Sequence, residues 1–260
     1  MDFERYQGHI AGLLVKDFRM RRLAATLLLL VFALPALAQG ISPDQKKAIE
    51  EIIRAYILKN PEIIREAVEA LQAKEQQSAE ERRADSMAKL RDELISDPAS
   101  PVLGNPSGDV TVVEFFDYRC PYCKKTAPVV DQLVKEDGRI RRVMKEFPIL
   151  GPESVVASRA ALAAKAQGKY EALHRALIGA KGALDQDTIW KMAKEAGIDM
   201  ERLKRDMNSP EVDEALKKNR ELASALEITG TPAFIIGKEF VPGAADLDAF
   251  KVVVARARKG

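Results

Sequence analysis

Both thiols of the chain fall in one turn. The 260-residue chain has two cysteines and two histidines, and both cysteines lie in Cys120-Pro121-Tyr122-Cys123. Two residues between the sulfurs, on the first turn of a helix, bring them close enough to bond, and the small ring makes that bond reversible. The turn follows an apolar run, Val110 to Tyr118 (VTVVEFFDY), that reads as a buried strand, and it precedes a helical pattern from Pro121 to about Glu136. Cys120 is thereby set at a helix start, whose unpaired N–H groups and macrodipole favour a thiolate. Cys120 is expected to be the exposed nucleophile, and Cys123, one turn further in, the buried resolving thiol. Pro121 takes a position whose N–H would be unpaired anyway, and Tyr122 offers an aromatic face at the mouth.

A passive staple is the bland alternative, but a loop this short constrains the unfolded chain little. The two sulfurs are also half of a zinc site, or a two-coordinate site for Cu(I). Zinc needs further ligands, and His174 lies in an Ala/Leu-rich helical stretch where a packed histidine is expected. Copper stays open as an alternative; no resident metal or cofactor is expected.

The rest of the chain must position that turn. With 47% hydrophobic and 31% charged residues, 260 residues suffice for one full domain plus an appendage. The 41 basic and 39 acidic side chains make no basic field, so nucleic acid is not an expected partner. Met20-Arg21-Arg22, the uncharged run Leu23 to Leu34, and Pro35-Ala36-Leu37-Ala38 read as a secretory signal peptide. Cleavage is predicted after Ala38, with Met20 as an alternative start. An uncleaved anchor is disfavoured, because the run is shorter than the roughly 20 residues that span a bilayer. Removing five basic and three acidic side chains leaves 36 of each sign in the mature chain. Export implies an oxidising compartment, where a cysteine pair is a staple or a redox site.

Residues 39–96 read as helix. Ser42-Pro43-Asp44-Gln45 is a capping box, and Ile49, Ile52, Ile53, Tyr56 and Ile57 form one apolar stripe. Asn60-Pro61 opens a second helix with stripes Ile64, Val68, Leu71 and Met87, Leu90, Leu94, separated by the polar stretch Lys74 to Ser86. Two such helices need a cover. Residues 42–95 are therefore expected to build a homo-oligomer, a dimer or trimer, with Lys74 to Arg83 as a solvated spacer; packing on the same chain is the alternative.

Asp97 to Asp109, rich in proline and glycine, reads as a linker ahead of a catalytic body, 97–260. In that body a strand–helix–strand unit ends with Ile140 to Phe147, its two strands expected to be parallel. Helices follow from Gly151 to Leu226, then two short strands, Ala233 to Ile236 and one through Val241, and a last helix from Asp246 to Arg258.

These pieces resemble the thioredoxin fold, and more closely its DsbA-like branch of exported thiol:disulfide oxidoreductases. The likeness runs from about Asp109 to Gly260. It rests on VVEFFDYRCPYC (112–123), the helical insertion 151–226, and Thr229-Gly230-Thr231-Pro232-Ala233-Phe234. The fold class implied is α/β, a thioredoxin fold with a helical insertion, preceded by an α-helical oligomerisation segment. The resemblance implies that Pro232 is cis and faces the Cys120 sulfur, with the Thr231 backbone free to pair with a substrate strand. It also implies that Glu114 and Lys145 form a buried charged pair beneath Cys123, with Glu114 as its proton acceptor. Pro-Tyr between the cysteines and Thr before the proline are similar to the disulfide isomerases. The YILKNPEII run (56–64) resembles the assembly region of ScsC, the suppressor-of-copper-sensitivity C type.

The reading is a periplasmic thiol:disulfide oxidoreductase and enzyme, acting as an isomerase or reductase on misfolded exported proteins with a membrane thiol-redox partner. A monomeric dithiol oxidase and a Cu(I)-binding copper-tolerance protein are the alternatives.

Overall fold

The computed structural model describes residues 41–259. The signal segment and its cleavage site lie outside the described residues. The chain divides into two units between Gln72 and Ala73, well before the expected boundary at 96.

In the first unit, helix α1 (Pro43–Lys59) starts with the capping box read from the sequence. The Ser42 hydroxyl accepts the Gln45 N–H at 3.2 Å, and the Gln45 side chain accepts the Ser42 N–H at 2.9 Å. Asn60 closes the helix, and α2 (Glu62–Lys89) begins after it. No residue of α1 is buried; Ile49, Ile52, Ile53, Tyr56, Ile64, Val68 and Leu71 are all exposed.

The second unit, Ala73–Gly260, is built on a five-stranded sheet. After α3 (Arg91–Ile95) come β1 (Val102–Gly104), β2 (Val110–Phe116), α4 (Pro121–Asp137) and β3 (Ile140–Glu146). The insertion holds α5 (Pro152–Lys165), α6 (Tyr170–Ile178), α7 (Gln186–Glu195), α8 (Met200–Asp206) and α9 (Pro210–Ala225). Strands β4 (Ala233–Ile236) and β5 (Glu239–Pro242) and helix α10 (Leu247–Ala257) complete it. The sheet order is β1-β3-β2-β4-β5. Strands β2 and β3 are parallel, joined by α4 as a crossover, and the other pairings are antiparallel.

Two differences from the sequence reading concern the edges. The expected linker 97–109 contains β1, paired with β3 in the register Val102↔Val143. Proline and glycine punctuate a short edge strand as readily as a tether, since an edge leaves one side of the backbone unpaired. The expected solvated spacer is likewise part of the body at its end. The Arg83 guanidinium donates to the Leu226 carbonyl at 2.9 Å and lies 4.3 Å from the centre of the Phe240 ring. Long cationic side chains read as solvated, yet their methylene stems cover apolar surface well.

Burial on both faces explains why β2 is almost continuously apolar. On one face Val112, Ile140, Phe234 and Ile236 pack with Val130 and Leu133 of α4 and Phe250 of α10. On the other, Val113, Phe115, Val143 and Ile235 meet Met87, Leu94, Leu222 and Leu226. The insertion helices close over a third cluster, where small residues such as Ala157, Ala160 and Ala161 of α5 pack beside Cys120 and Cys123.

Candidate active site

Strand β2 ends at Phe116, and the next four residues turn the chain into α4. Cys120 is the N-cap, with extended backbone (φ −70°, ψ 119°), and Pro121 is the first helical residue. The Cys120 N–H donates to the Asp117 carbonyl at 3.1 Å, and the Cys123 N–H points at the Cys120 sulfur at 3.4 Å. The cap position thus directs a helix N–H to the sulfur, as its place in the sequence requires. Both cysteines are thiols in this structure. Cys120 is 4% exposed and Cys123 1%, so the expected nucleophile is covered more than the sequence reading had it. Burial pushes the Cys123 thiol far up, as suits a resolving group held protonated until needed. Tyr122 is 62% exposed at the mouth.

The loop before β4 meets the sulfur from the other side. The Thr231–Pro232 peptide bond is cis, and the Cys120 thiol donates to the Thr231 carbonyl at 3.2 Å. A groove of about 740 Å³ follows this loop, lined by Thr231, Pro232, Phe240 and the Gln76, Arg83 and Met87 side chains of α2. Those α2 residues were missed because only folding brings them to the groove.

Glu114 and Lys145 are both buried, at 2% and 0% exposure, but they do not meet. The register pairs Glu114 with Met144 and Phe115 with Lys145, so alternation sends the two side chains to opposite faces of the sheet. Glu114 instead pairs with Arg142, whose Nε–H donates to Oε2 at 2.7 Å. Arg142 also donates to Asp131 of α4 at 2.8 Å, and Asp131 accepts from Arg175 of α6 at 2.7 Å. This chain of charges ties β2 and β3 to the helix that carries Cys123. Lys145 donates to the Glu93 carbonyl at 2.8 Å and the Ser100 hydroxyl at 2.7 Å, pinning β3 to the segment around α3. It is an anchor away from the redox turn.

Behind the turn lies a polar network that sequence reasoning did not find. Glu146, fully buried, accepts from the hydroxyls of Tyr118 (2.8 Å), Tyr170 (2.8 Å) and Ser158 (2.7 Å). Burial pushes its pKa up to about 8 despite those donors. His174 is the packed histidine expected: buried, 3.1 Å from the Tyr118 hydroxyl, and stacked on Tyr170. Burial lowers its pKa well below the usual range, so it stays neutral. No local signal set Glu146 apart, because β3 (IRRVMKE) carries four charged residues among its seven. Among the described residues, no group of three or more His, Cys, Asp and Glu is placed to hold a metal ion.

Residues 111–255 match the DSBA-like thioredoxin domain, and residues 45–78 match the N-terminal domain of the copper resistance protein ScsC. A thioredoxin-like oxidoreductase from Silicibacter pomeroyi DSS-3 is 49% identical, over 65% of this chain and 98% of that one, with a TM-score of 0.64. Proteus mirabilis ScsC in a transitional conformation is 30% identical, over 85% of this chain and 98% of that one, with a TM-score of 0.63. Among curated proteins, a Na(+)/H(+) antiporter NhaA 1 of Salinispora arenicola is 28% identical over 161 residues, 61% of this chain; the chain spans 25% of that relative's length. Among the described residues, no helix is long and apolar enough to cross a membrane. Matched over more than half of its length, the chain belongs to the DSBA-like thioredoxin domain family.

Proposed function

We propose that the protein exchanges disulfides with exported polypeptides in the periplasm, as an isomerase or reductase, and assembles through residues 42–95. The observation that carries the exchange chemistry is the Cys120 sulfur held between a helix N–H and the cis-proline loop. In the first step the Cys120 thiolate attacks a substrate disulfide; one Cys120–substrate S–S bond forms, and the other substrate sulfur leaves as a thiolate. A substrate thiolate then displaces Cys120, which leaves the protein's redox state unchanged and rearranges the substrate. Alternatively Cys123 loses its proton and attacks Cys120. The substrate then takes up two electrons and the protein keeps the Cys120–Cys123 disulfide, to be reduced by a membrane thiol partner.

Glu114 is proposed as the acceptor of the Cys123 proton, with Arg142 and Asp131 setting its charge and place. Extended substrate would lie along the groove beside Thr231, pairing with that residue's backbone. Supporting the assembly role is the match of residues 45–78 to an ScsC N-terminal domain, together with the exposed stripes of the first unit. Periplasmic location is supported by solved relatives such as a periplasmic thioredoxin-like protein from Salmonella enterica serovar Typhimurium, 31% identical with a TM-score of 0.58.

Reactivation of scrambled ribonuclease tests the reading: activity is expected from the natural chain and none from Cys120→Ser, and activity that survives the substitution overturns it. The redox state of the cysteine pair in cells separates the modes, reduced for isomerase and oxidised for a dithiol oxidase. A second reading, Cu(I) held by the two sulfurs, is favoured by the ScsC match. Tight Cu(I) binding without ribonuclease reactivation would establish it in place of the first.

A further inference from the structure

The loop that meets Cys120 is held at its two ends by different parts of the molecule. Downstream, the Gly243 N–H donates to the Pro232 carbonyl at 2.9 Å, fixing the cis-proline beside β5. Upstream, α9 ends in a Schellman turn, with the Ile228 N–H donating to the Ala223 carbonyl at 2.8 Å and the Glu227 N–H to the Ser224 carbonyl at 3.1 Å. Glycine is the usual residue at the left-handed position of such a turn. Here the position is held by Glu227, whose φ of 54° is the one positive φ outside glycine among the described residues. Glycine would relax the backbone there, so the carboxylate needs a reason.

That reason lies on α2. Arg82 donates to both Glu227 carboxylate oxygens, at 2.8 and 3.4 Å, and the next residue, Arg83, donates to the Leu226 carbonyl at 2.9 Å. Leu226 caps the C-terminus of α9, where carbonyls have no partner within the helix. Arg83 also lies over the Phe240 ring of β5, and Met87, one turn further along α2, shares a buried cluster with Leu226 and Ile228. The two arginines thus grip the residues at which the chain leaves α9 for the loop. Between that grip and Pro232 stand Thr229 and Gly230, both exposed, and Thr231, whose carbonyl accepts the Cys120 thiol at 3.2 Å.

We propose that Arg83, assisted by Arg82, is a positioning residue for disulfide exchange, holding the start of the cis-proline loop so that the Thr231 carbonyl stays on the Cys120 sulfur. The inference rests on the disulfide-exchange reading. Both arginines act through the loop and not on the sulfurs. The direction of their effect follows from the bond they protect. A carbonyl that accepts the thiol proton favours S–H over the thiolate, and a loop released from α2 loses that preference. Release also blurs the place of the Thr231 backbone, on which an extended substrate would pair.

Alkylation of Cys120 by iodoacetamide, followed by mass spectrometry across pH in the full-length reduced protein, reads that bond. Arg83→Ala is expected to react about threefold faster than the natural chain at acidic pH, with the two curves converging at alkaline pH. Arg83→Lys keeps a donor and a cation and should return the curve toward the natural one. Arg82→Ala removes an exposed ion pair at little cost to folding, and should shift the curve in the same direction by less. On scrambled ribonuclease, Arg83→Ala is expected to lower kcat/KM about fivefold through KM, again recovered by lysine. Natural alkylation curves in both alanine variants, acceleration by one factor at every pH, unchanged ribonuclease kinetics in Arg83→Ala, or a lysine variant no better than alanine would overturn the proposal. A natural chain unable to reactivate scrambled ribonuclease would instead defeat the exchange reading, and the alkylation curves would still decide whether α2 sets the loop.

Discussion

Leu71 and Leu94 are the same side chain at equivalent places in two amphipathic stripes, yet one is 56% exposed and the other 2%. The first unit presents its stripe, from Ile49 to Leu71, uncovered by its own helices. The body takes Met87, Leu90 and Leu94 and seals the sheet with them. Helical periodicity announces that a face wants cover; it says nothing about what supplies it. The contrast assigns different tasks. Apolar residues in the body hold a reactive turn in place, and those of the first unit stay exposed, where assembly is the role proposed for them.

Substitutions on the two sides should behave oppositely, and the largest effect belongs to the body. Glu114→Ala leaves the Arg142 guanidinium buried without its nearest carboxylate, which should destabilise the body by about 4 kcal/mol in denaturant unfolding. A change under about 1 kcal/mol would show that Asp131 alone suffices for Arg142. Next, Leu94→Ala is expected to remove about 3 kcal/mol by opening a cavity against the sheet. Leu71→Ala should alter the unfolding of the body by no more than about 0.5 kcal/mol. Similar losses at both positions would erase the distinction between the two stripes.

Glu146 sharpens the comparison through pH. Its folded-state pKa of about 8 lies above the ordinary carboxylate value, so the folded chain keeps a proton that the unfolded chain has released. Its contribution is therefore complete below the unfolded value and is lost as pH rises toward about 8. On the order of 2 kcal/mol should disappear between roughly pH 5 and pH 7, and Glu146→Gln, neutral throughout, should flatten that slope. A variant that keeps the slope would place the titration elsewhere. The smallest effect on folding is expected from Ile52→Ser with Val68→Ser in the first unit. The body's melting should stay unchanged while sedimentation shows a lower mass than the natural chain. An unchanged mass would remove the assembly role from these stripes.

How much was legible in advance varied with the range of the interaction. The redox turn, the helix it caps and the strands β2, β3 and β4 are written in local signals: a CxxC after a β-branched run, alternation, and caps one turn long. The Glu114–Lys145 pair failed because a pairing depends on strand register, and one residue of register decides which face a side chain takes. Arg142 and Asp131 went unseen for the same reason, since nothing in their immediate neighbours marks one as buried or the two as partners. Asp117 was visible only as one residue of the VTVVEFFDY run, although its carboxylate organises a loop more than 30 residues away.

By itself, then, the sequence determined where the thiols sit, which helix start they occupy, and that no other thiol competes with them. Those properties depend on covalent order and on backbone chemistry within a few residues. Only the tertiary structure decided which charge neutralises which, what lines the groove along the cis-proline loop, and where the body begins. Those depend on contacts between distant segments, whose partners are chosen by the shared burial of surfaces that no local pattern encodes.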